Sequence, residues 1–291
     1  MNNPFLKAEW LKEGRGNRLA MLVVFYNALL ALVTIMIMFI NSQTFSEGYY
    51  YDPATFRYQF LIISTIQIIL SCLIIPFLVW SLFTEDRENH FMDQFMVIPG
   101  VPGKFIRARI TLVLSVMMLL FVSSLPILLL SAIYSGISWL KIIRLGALIL
   151  VTSFWSGSLA IYSFCRRNSG IMAAVRDIFL QVVFLVGTLF LIELMYGSFL
   201  SSGRPFPATF PGLALFLLAL NPAVMYLGYY VGITGNNSFV SLYCSRLGID
   251  YTSSLFIYLF YKAAVLAAVV TALFFLVRAV RYLDRETGDR E

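Results

Sequence analysis

Long apolar runs alternate with short polar segments along this chain, and the runs share a common length. Stretches dominated by Leu, Ile, Val, Phe and Ala fall at residues 19–40, 59–82, 110–134, 142–165, 177–198 and 255–280. An α-helix rises about 1.5 Å per residue, so roughly 20 apolar residues cross the ~30 Å hydrocarbon core of a bilayer. The pattern predicts an all-α, polytopic membrane protein with six transmembrane helices, read as a single transmembrane domain over residues 1–291. The first run is long enough to span and no small-residue cleavage site follows it, so it is expected to stay as an anchor.

A seventh apolar stretch, 209–232, is interrupted by Pro211, Gly212, Asn221, Pro222, Gly228 and Gly232, residues that break or weaken a continuous helix. Charge placement decides its topology. With six spans and a cytoplasmic N-terminus, 15 of the 21 Lys and Arg residues face inward. Only Arg57, Lys141, Arg144, Arg204, Arg246 and Lys262 face outward, as the positive-inside rule requires. A seventh full span reduces the asymmetry to 12 against 9. Residues 199–254 are therefore expected outside the membrane core as a re-entrant or surface-lying helical segment, with both termini cytoplasmic. Irregular backbone at membrane depth is tolerated only where protein or a water-filled cavity covers it.

Composition agrees with lipid as the solvent. The chain is 60% hydrophobic and 12% charged, with a mean hydropathy of +0.84, which excludes an ordinary soluble domain. Its net charge of +6 comes from residues clustered at span ends, which points to anionic lipid and away from nucleic acid. Cys72, Cys165 and Cys244 have neither metal-ligand spacing nor the density of a disulfide framework and read as packing residues.

The segments between spans carry more specific signals. Residues 4–18 gather Phe5, Leu6, Trp10 and Leu11 on one side among Lys7, Glu9, Lys12 and Glu13. This reads as an amphipathic helix lying in the cytoplasmic interface, or as a basic flank that orients the first span. In the loop between spans 2 and 3, Thr84 can cap a helix over 84–98 whose first turn holds Glu85, Asp86 and Glu88, with Arg87 among them. Phe91, Met92 and Phe95 then recur at helical spacing, and Pro99, Gly100 and Pro102 end the element. Its apolar face has two open readings, covering the base of its own bundle or docking a soluble partner.

Within the spans, Glu193 and Lys262 stand out because an ionisable group in hydrocarbon costs at least ~2.5 kcal/mol on insertion scales. Both lie at similar depth and are expected to face the bundle, as an inter-helix pair that fixes packing or as groups that handle substrate. Asn27, Thr34, Gln67, Ser71, Ser123 and Ser124 are polar positions expected chiefly to bond between helices. Pro76 and Pro126 are expected to kink or loosen spans 2 and 3. The sole histidine, His90, falls in the inner loop, which argues against a histidine-based metal site or proton relay within the membrane.

In layout the chain resembles the transmembrane subunits of type-2 class ABC exporters. The resemblance rests on the segment 4–18, the Glu85-Asp86-Arg87-Glu88 run followed by apolar residues and Pro99, and the Pro/Gly-broken 205–232 segment with Asn221-Pro222. It implies a permease subunit in a bacterial cytoplasmic membrane, dimeric with an identical or different second permease subunit, bound to separate cytoplasmic ATPase subunits. It assigns ATPase coupling to residues 84–98, with Glu85, Asp86, Arg87 and Glu88 in polar contacts and Phe91, Met92 and Phe95 as apolar anchors. No phosphate-binding G-x-x-x-x-G-K-[ST] motif occurs, since Gly100-Val101-Pro102-Gly103-Lys104 lacks its spacing and hydroxyl residue. ATP and Mg would therefore sit on the partner, and this chain is expected to be non-catalytic, without a cofactor or metal of its own. The near absence of charge in the spans suits an amphipathic or lipid-like cargo, a peptide or a drug. An intramembrane enzyme would need converging Asp, Glu, His or Ser groups, and no such cluster is evident. A non-catalytic scaffold or sensor component that holds a cytoplasmic partner is the alternative.

Overall fold

A computed structural model describes residues 17–45, 53–88, 101–166, 170–202, 210–235 and 254–288. Among the described residues the elements are helical and no strand occurs. Six helices among the described residues are long and apolar enough to cross a membrane, Asn17–Ile40, Thr55–Glu85, Val101–Ser135, Trp139–Cys165, Ile171–Ser198 and Leu259–Leu283. The six expected spans are all present, and the chain is a multi-pass helical membrane protein. By contact it divides into two compact units, residues 1–174 with 272–291, and residues 175–271.

The first unit is built on α1 (Asn17–Phe45), α2 (Pro53–Glu88), α3 (Val101–Ser135) and α4 (Trp139–Cys165). α2, α3 and α4 pack on one another, and α1 lies against α2 and α3. α4 is the most deeply embedded of the spans, and its composition explains why. Gly157 faces Ile110, Val113 and Ile75, with 3.0 Å between the nearest of these atoms and the position a Cβ would take. Gly146 sits still closer to the Phe121 ring. Ser153, Ser156, Ser158 and Ser163 are buried beside them. Between helices in lipid no hydrophobic gain drives association, so small side chains that let backbones approach supply the contact. Two hydroxyls on this helix are satisfied locally: Ser158 donates to the Phe154 carbonyl at 2.6 Å and Thr152 to that of Leu148 at 2.8 Å.

α3 and α4 are joined by a tight turn. Gly136 adopts a left-handed φ of 67°, and the amides of Gly136 and Ile137 donate to the Ile133 and Ala132 carbonyls. This closes α3 as glycine at that position allows without a Cβ penalty.

Two boundaries depart from expectation. α2 runs unbroken through Thr84 to Glu88, so Thr84 lies inside that helix and caps no new one there. Residues 81–88 contain neither Gly nor Pro, and Glu and Arg are good helix formers, so the helix continues past the end of the apolar run. α3 begins at Val101, with Pro102 in its first turn, where the missing proline N–H costs nothing. Neither Pro76 nor Pro126 ends its helix.

The second unit begins within α5 (Gly170–Val182), which passes through a π-helical turn, Val183–Gly187, into α6 (Thr188–Ser202). α7 (Phe210–Leu220) and α8 (Pro222–Thr234) follow. The stretches Gly212–Leu220 and Pro222–Thr234 meet at 90°. From Phe210 on, the interrupted stretch is thus a bent helix pair. The last helix, α9 (Ser254–Gly288), belongs to this unit as far as Thr271 and to the first unit beyond it.

Candidate functional site

The first unit carries a polar seam along α1, α2 and α3. Gln67 Nε2 donates to Ser124 Oγ at 2.8 Å and Asn27 Nδ2 to Ser123 Oγ at 2.9 Å. Tyr26, 3% exposed, hydrogen-bonds Ser124 as well. One pair of adjacent serines on α3 therefore ties down both neighbouring helices. The expectation that these residues bond between helices holds for Asn27, Gln67, Ser123 and Ser124. Thr34 and Ser71 donate instead to carbonyls of their own helices, at Leu30 and Gln67.

The seam continues in antiparallel register. Two turns beyond the Gln67–Ser124 level, Gln59 on α2 and Ser131 on α3 are buried, and neither the Gln59 amide nor the Ser131 hydroxyl has a hydrogen-bond partner among the described residues. A buried polar group left so costs roughly 1–3 kcal/mol. At the same end the Phe56 and Tyr134 rings meet at 5.4 Å, tilted by 31°, and Arg57 Nε reaches the Ser135 carbonyl at 3.5 Å.

At the opposite end of α2 and α3 an arginine is enclosed by aromatic rings. Arg109, only 3% exposed, places its guanidinium carbon 5.0 Å from the Phe105 ring centre and 6.0 Å from that of Phe83. Phe83 in turn meets Phe105 edge-on at 5.9 Å and stacks on Phe164 of α4 at 5.8 Å. The cation is thus held against ring faces, whose quadrupole attracts it, where α2, α3 and α4 converge. Sequence reasoning counted Arg109 only as an inner-loop charge. The signal available was Phe105 four residues before it, one helical turn away.

In the second unit the organising side chain is Asn221, fully buried at the bend between α7 and α8. The residue before a proline avoids helical geometry, and Asn221 is extended at φ −83°, ψ 116°. Its Oδ1 caps α8 by accepting from the Ala223 amide at 2.8 Å. Its Nδ2 donates to the Leu185 carbonyl at 2.8 Å and to Thr188 Oγ1 at 2.9 Å, and that hydroxyl donates to the Phe184 carbonyl. One asparagine therefore fixes the bend and ties it to the π-helical turn of the preceding span, a kind of distortion often found at functional positions. At the far end of α8, Gly235 takes a left-handed φ of 69° and its amide returns to the Val231 carbonyl. Gly228 in mid-helix lies directly against the Tyr261 ring of α9.

Sequence reasoning also missed Asp177. It is buried on α5, and Gln181, one turn on, donates to its Oδ2 at 3.0 Å. An acid with an amide four residues later, at the start of an apolar run, was the available signal.

Glu193 is half-buried on α6 and Lys262 exposed on α9, both in the second unit. Glu85 is half-buried near the end of α2, and Asp86, Arg87 and Glu88 complete that helix. Phe91, Met92, Phe95 and His90, the remainder of 84–98 and the segment 4–16 lie outside the described residues. Among the described residues, no three His, Cys, Asp or Glu side chains gather as they would around a metal ion. What the polar groups do here is hold helices together: amides and hydroxyls bridge spans, and the Arg109 cage joins three of them.

The chain matches no family model and no curated protein.

Proposed function

We propose that this chain is the permease subunit of an ATP-driven exporter of the ABC type. In this reading two permease subunits, identical or different, form the translocation path in a bacterial cytoplasmic membrane. Both termini are cytoplasmic, and ATP and Mg are held by separate ATPase subunits. The observation that carries the reading is the position of the 90° helix pair, Gly212–Leu220 with Pro222–Thr234, between the fifth and sixth spanning helices. That is where the resemblance in the sequence places a re-entrant element. The coupling surface is assigned to Glu85, Asp86, Arg87 and Glu88 at the end of α2 and to Phe91, Met92 and Phe95 after it. The Arg109 cage supports this assignment, because it anchors α2 at Phe83, immediately before Thr84 and Glu85, to both α3 and α4.

The test is copurification of the detergent-solubilised chain with its candidate ATPase, comparing wild type with a variant carrying Glu88→Lys and Phe95→Asp. Retention by wild type and loss by a variant that still melts cooperatively is the expected result. Equal retention by both overturns the coupling site. Failure of any ATPase to copurify, with another cytoplasmic protein retained instead, favours the scaffold or sensor alternative.

A further inference from the structure

Between α1 and α2 of the first unit lies a cavity of about 350 Å³, lined by Leu22, Leu73, Ile74 and Phe77 among its apolar side chains and by the polar Arg18 and Ser81. Its size falls in the range of small-ligand sites, roughly 300–1,000 Å³. Its two polar residues sit together at one end, with Leu19 and Leu82 beside them, and the rest of the wall is apolar. Arg18 stands at the start of the first spanning helix and Ser81 near the end of the second, so both belong at a membrane–water interface. From there the apolar wall continues about two turns toward the bilayer centre. The wall is open sideways, with Phe77 and Leu73 52% and 46% exposed, and the Arg18 side chain is itself exposed.

A guanidinium at the mouth of an apolar slot calls for a ligand with an anion at one end and hydrocarbon at the other. Guanidinium donors match phosphate oxygens in paired geometry, and Ser81 offers a further hydroxyl donor at the same level. Free phosphate would use the charge and leave the apolar wall empty. A second protein chain needs a contact of about 800 Å² per partner to be stable, far more than a slot of this size offers. We propose that this groove binds one anionic phospholipid, its phosphate on Arg18 and Ser81 and an acyl chain between Leu22, Ile74 and Phe77. The site is independent of the exporter reading, since it needs only a bilayer.

The experiment is native mass spectrometry of the full chain in detergent, with phosphatidylglycerol or phosphatidylcholine of identical acyl chains. Wild type is expected to retain one phosphatidylglycerol in preference to phosphatidylcholine. Arg18→Gln is expected to reduce that preference about five-fold, the loss of one interfacial cation attracting a net anionic headgroup, with a smaller loss of phosphatidylcholine, whose choline offsets its phosphate charge. Ile74→Trp, which fills the slot, is expected to lower retention of both lipids. Where Ile74→Trp fails to melt cooperatively, Leu73→Trp on the exposed side of the same wall makes the same test. Equal retention of the two lipids by wild type, or an undiminished preference in Arg18→Gln, overturns the proposal. So does displacement of the lipid by inorganic phosphate, which would reduce the site to its charge.

Discussion

α4 and the fifth spanning helix are of nearly equal length and opposite character. Over their most apolar windows α4 has the lower mean hydropathy, 1.6 against 2.4, yet 67% of its window is buried against 11% for Ile171–Ser198. In water the more apolar helix would take the core. In lipid the order reverses, because acyl chains are as good a solvent for Leu and Phe as a protein interior is, while Gly and Ser permit close backbone approach. The fifth span shows Phe179, Val186, Phe190 and Leu194 on its exposed surface, an apolar face of the kind that lipid solvates.

Four tests, using six substitutions, sharpen or break this contrast, each read as a shift in thermal unfolding of the solubilised chain. The largest effect is expected for Trp155→Ala in α4, a fully buried residue, at about 3–5 kcal/mol. Phe190→Ala on the fifth span, 66% exposed, is expected to stay within about 0.5 kcal/mol. Comparable losses at the two positions would show that burial does not separate the helices. Next, Gly157→Leu drives a side chain into Ile110, Val113 and Ile75 at a cost of about 1–3 kcal/mol. At Gly197 in α6 a Cβ would meet no atom of the described residues within 4 Å, and Gly197→Leu is expected to be neutral or slightly stabilising, as Leu favours helix over Gly. A harmless Gly157→Leu would remove close approach as the reason α4 is central.

Asn221→Leu comes third. It deletes the cap of α8 together with both bonds to the π-helical region, and about 1–2 kcal/mol is expected from the cap alone. Faster hydrogen exchange confined to residues 183–188 and 221–224 is the accompanying signature, and uniform loosening of the chain would contradict a local latch. The smallest effect is expected for Gln67→Leu. It removes the bond to Ser124 for about 0.6 kcal/mol, the average reported for polar contacts between membrane helices. A loss above about 2 kcal/mol would mean that the seam acts as one network anchored at Gln67.

Much of the architecture was legible because crossing a bilayer is a one-dimensional requirement. The six runs and the break at Asn221-Pro222 are matters of length, hydropathy and proline chemistry, and each falls within a stretch marked in the sequence, whereas Gly228 and Gly232 do not interrupt α8. Cross-helix bonding by Asn27 and Gln67 was legible for a related reason, since an amide in hydrocarbon must find a partner. The end of α2 was less so. The Thr84-Glu85-Asp86 pattern looks like a helix start, but with no breaker before it the preceding helix simply continues. Arg109 and Asp177 were passed over because a charge near a span end reads as interfacial until three-dimensional packing buries it.

By itself, then, the sequence determined that the chain is helical, that six segments reach across a bilayer, and that a seventh bends. Tertiary structure alone decided which of those helices forms the core, that serines on α3 tie α1 to α2, and that one asparagine joins the bend to a distorted span. The reason is physical. Hydropathy separates lipid from water and says nothing about which side of an apolar helix meets another helix. That choice is made by small side chains and by a few amides and hydroxyls, whose partners lie far away in the chain.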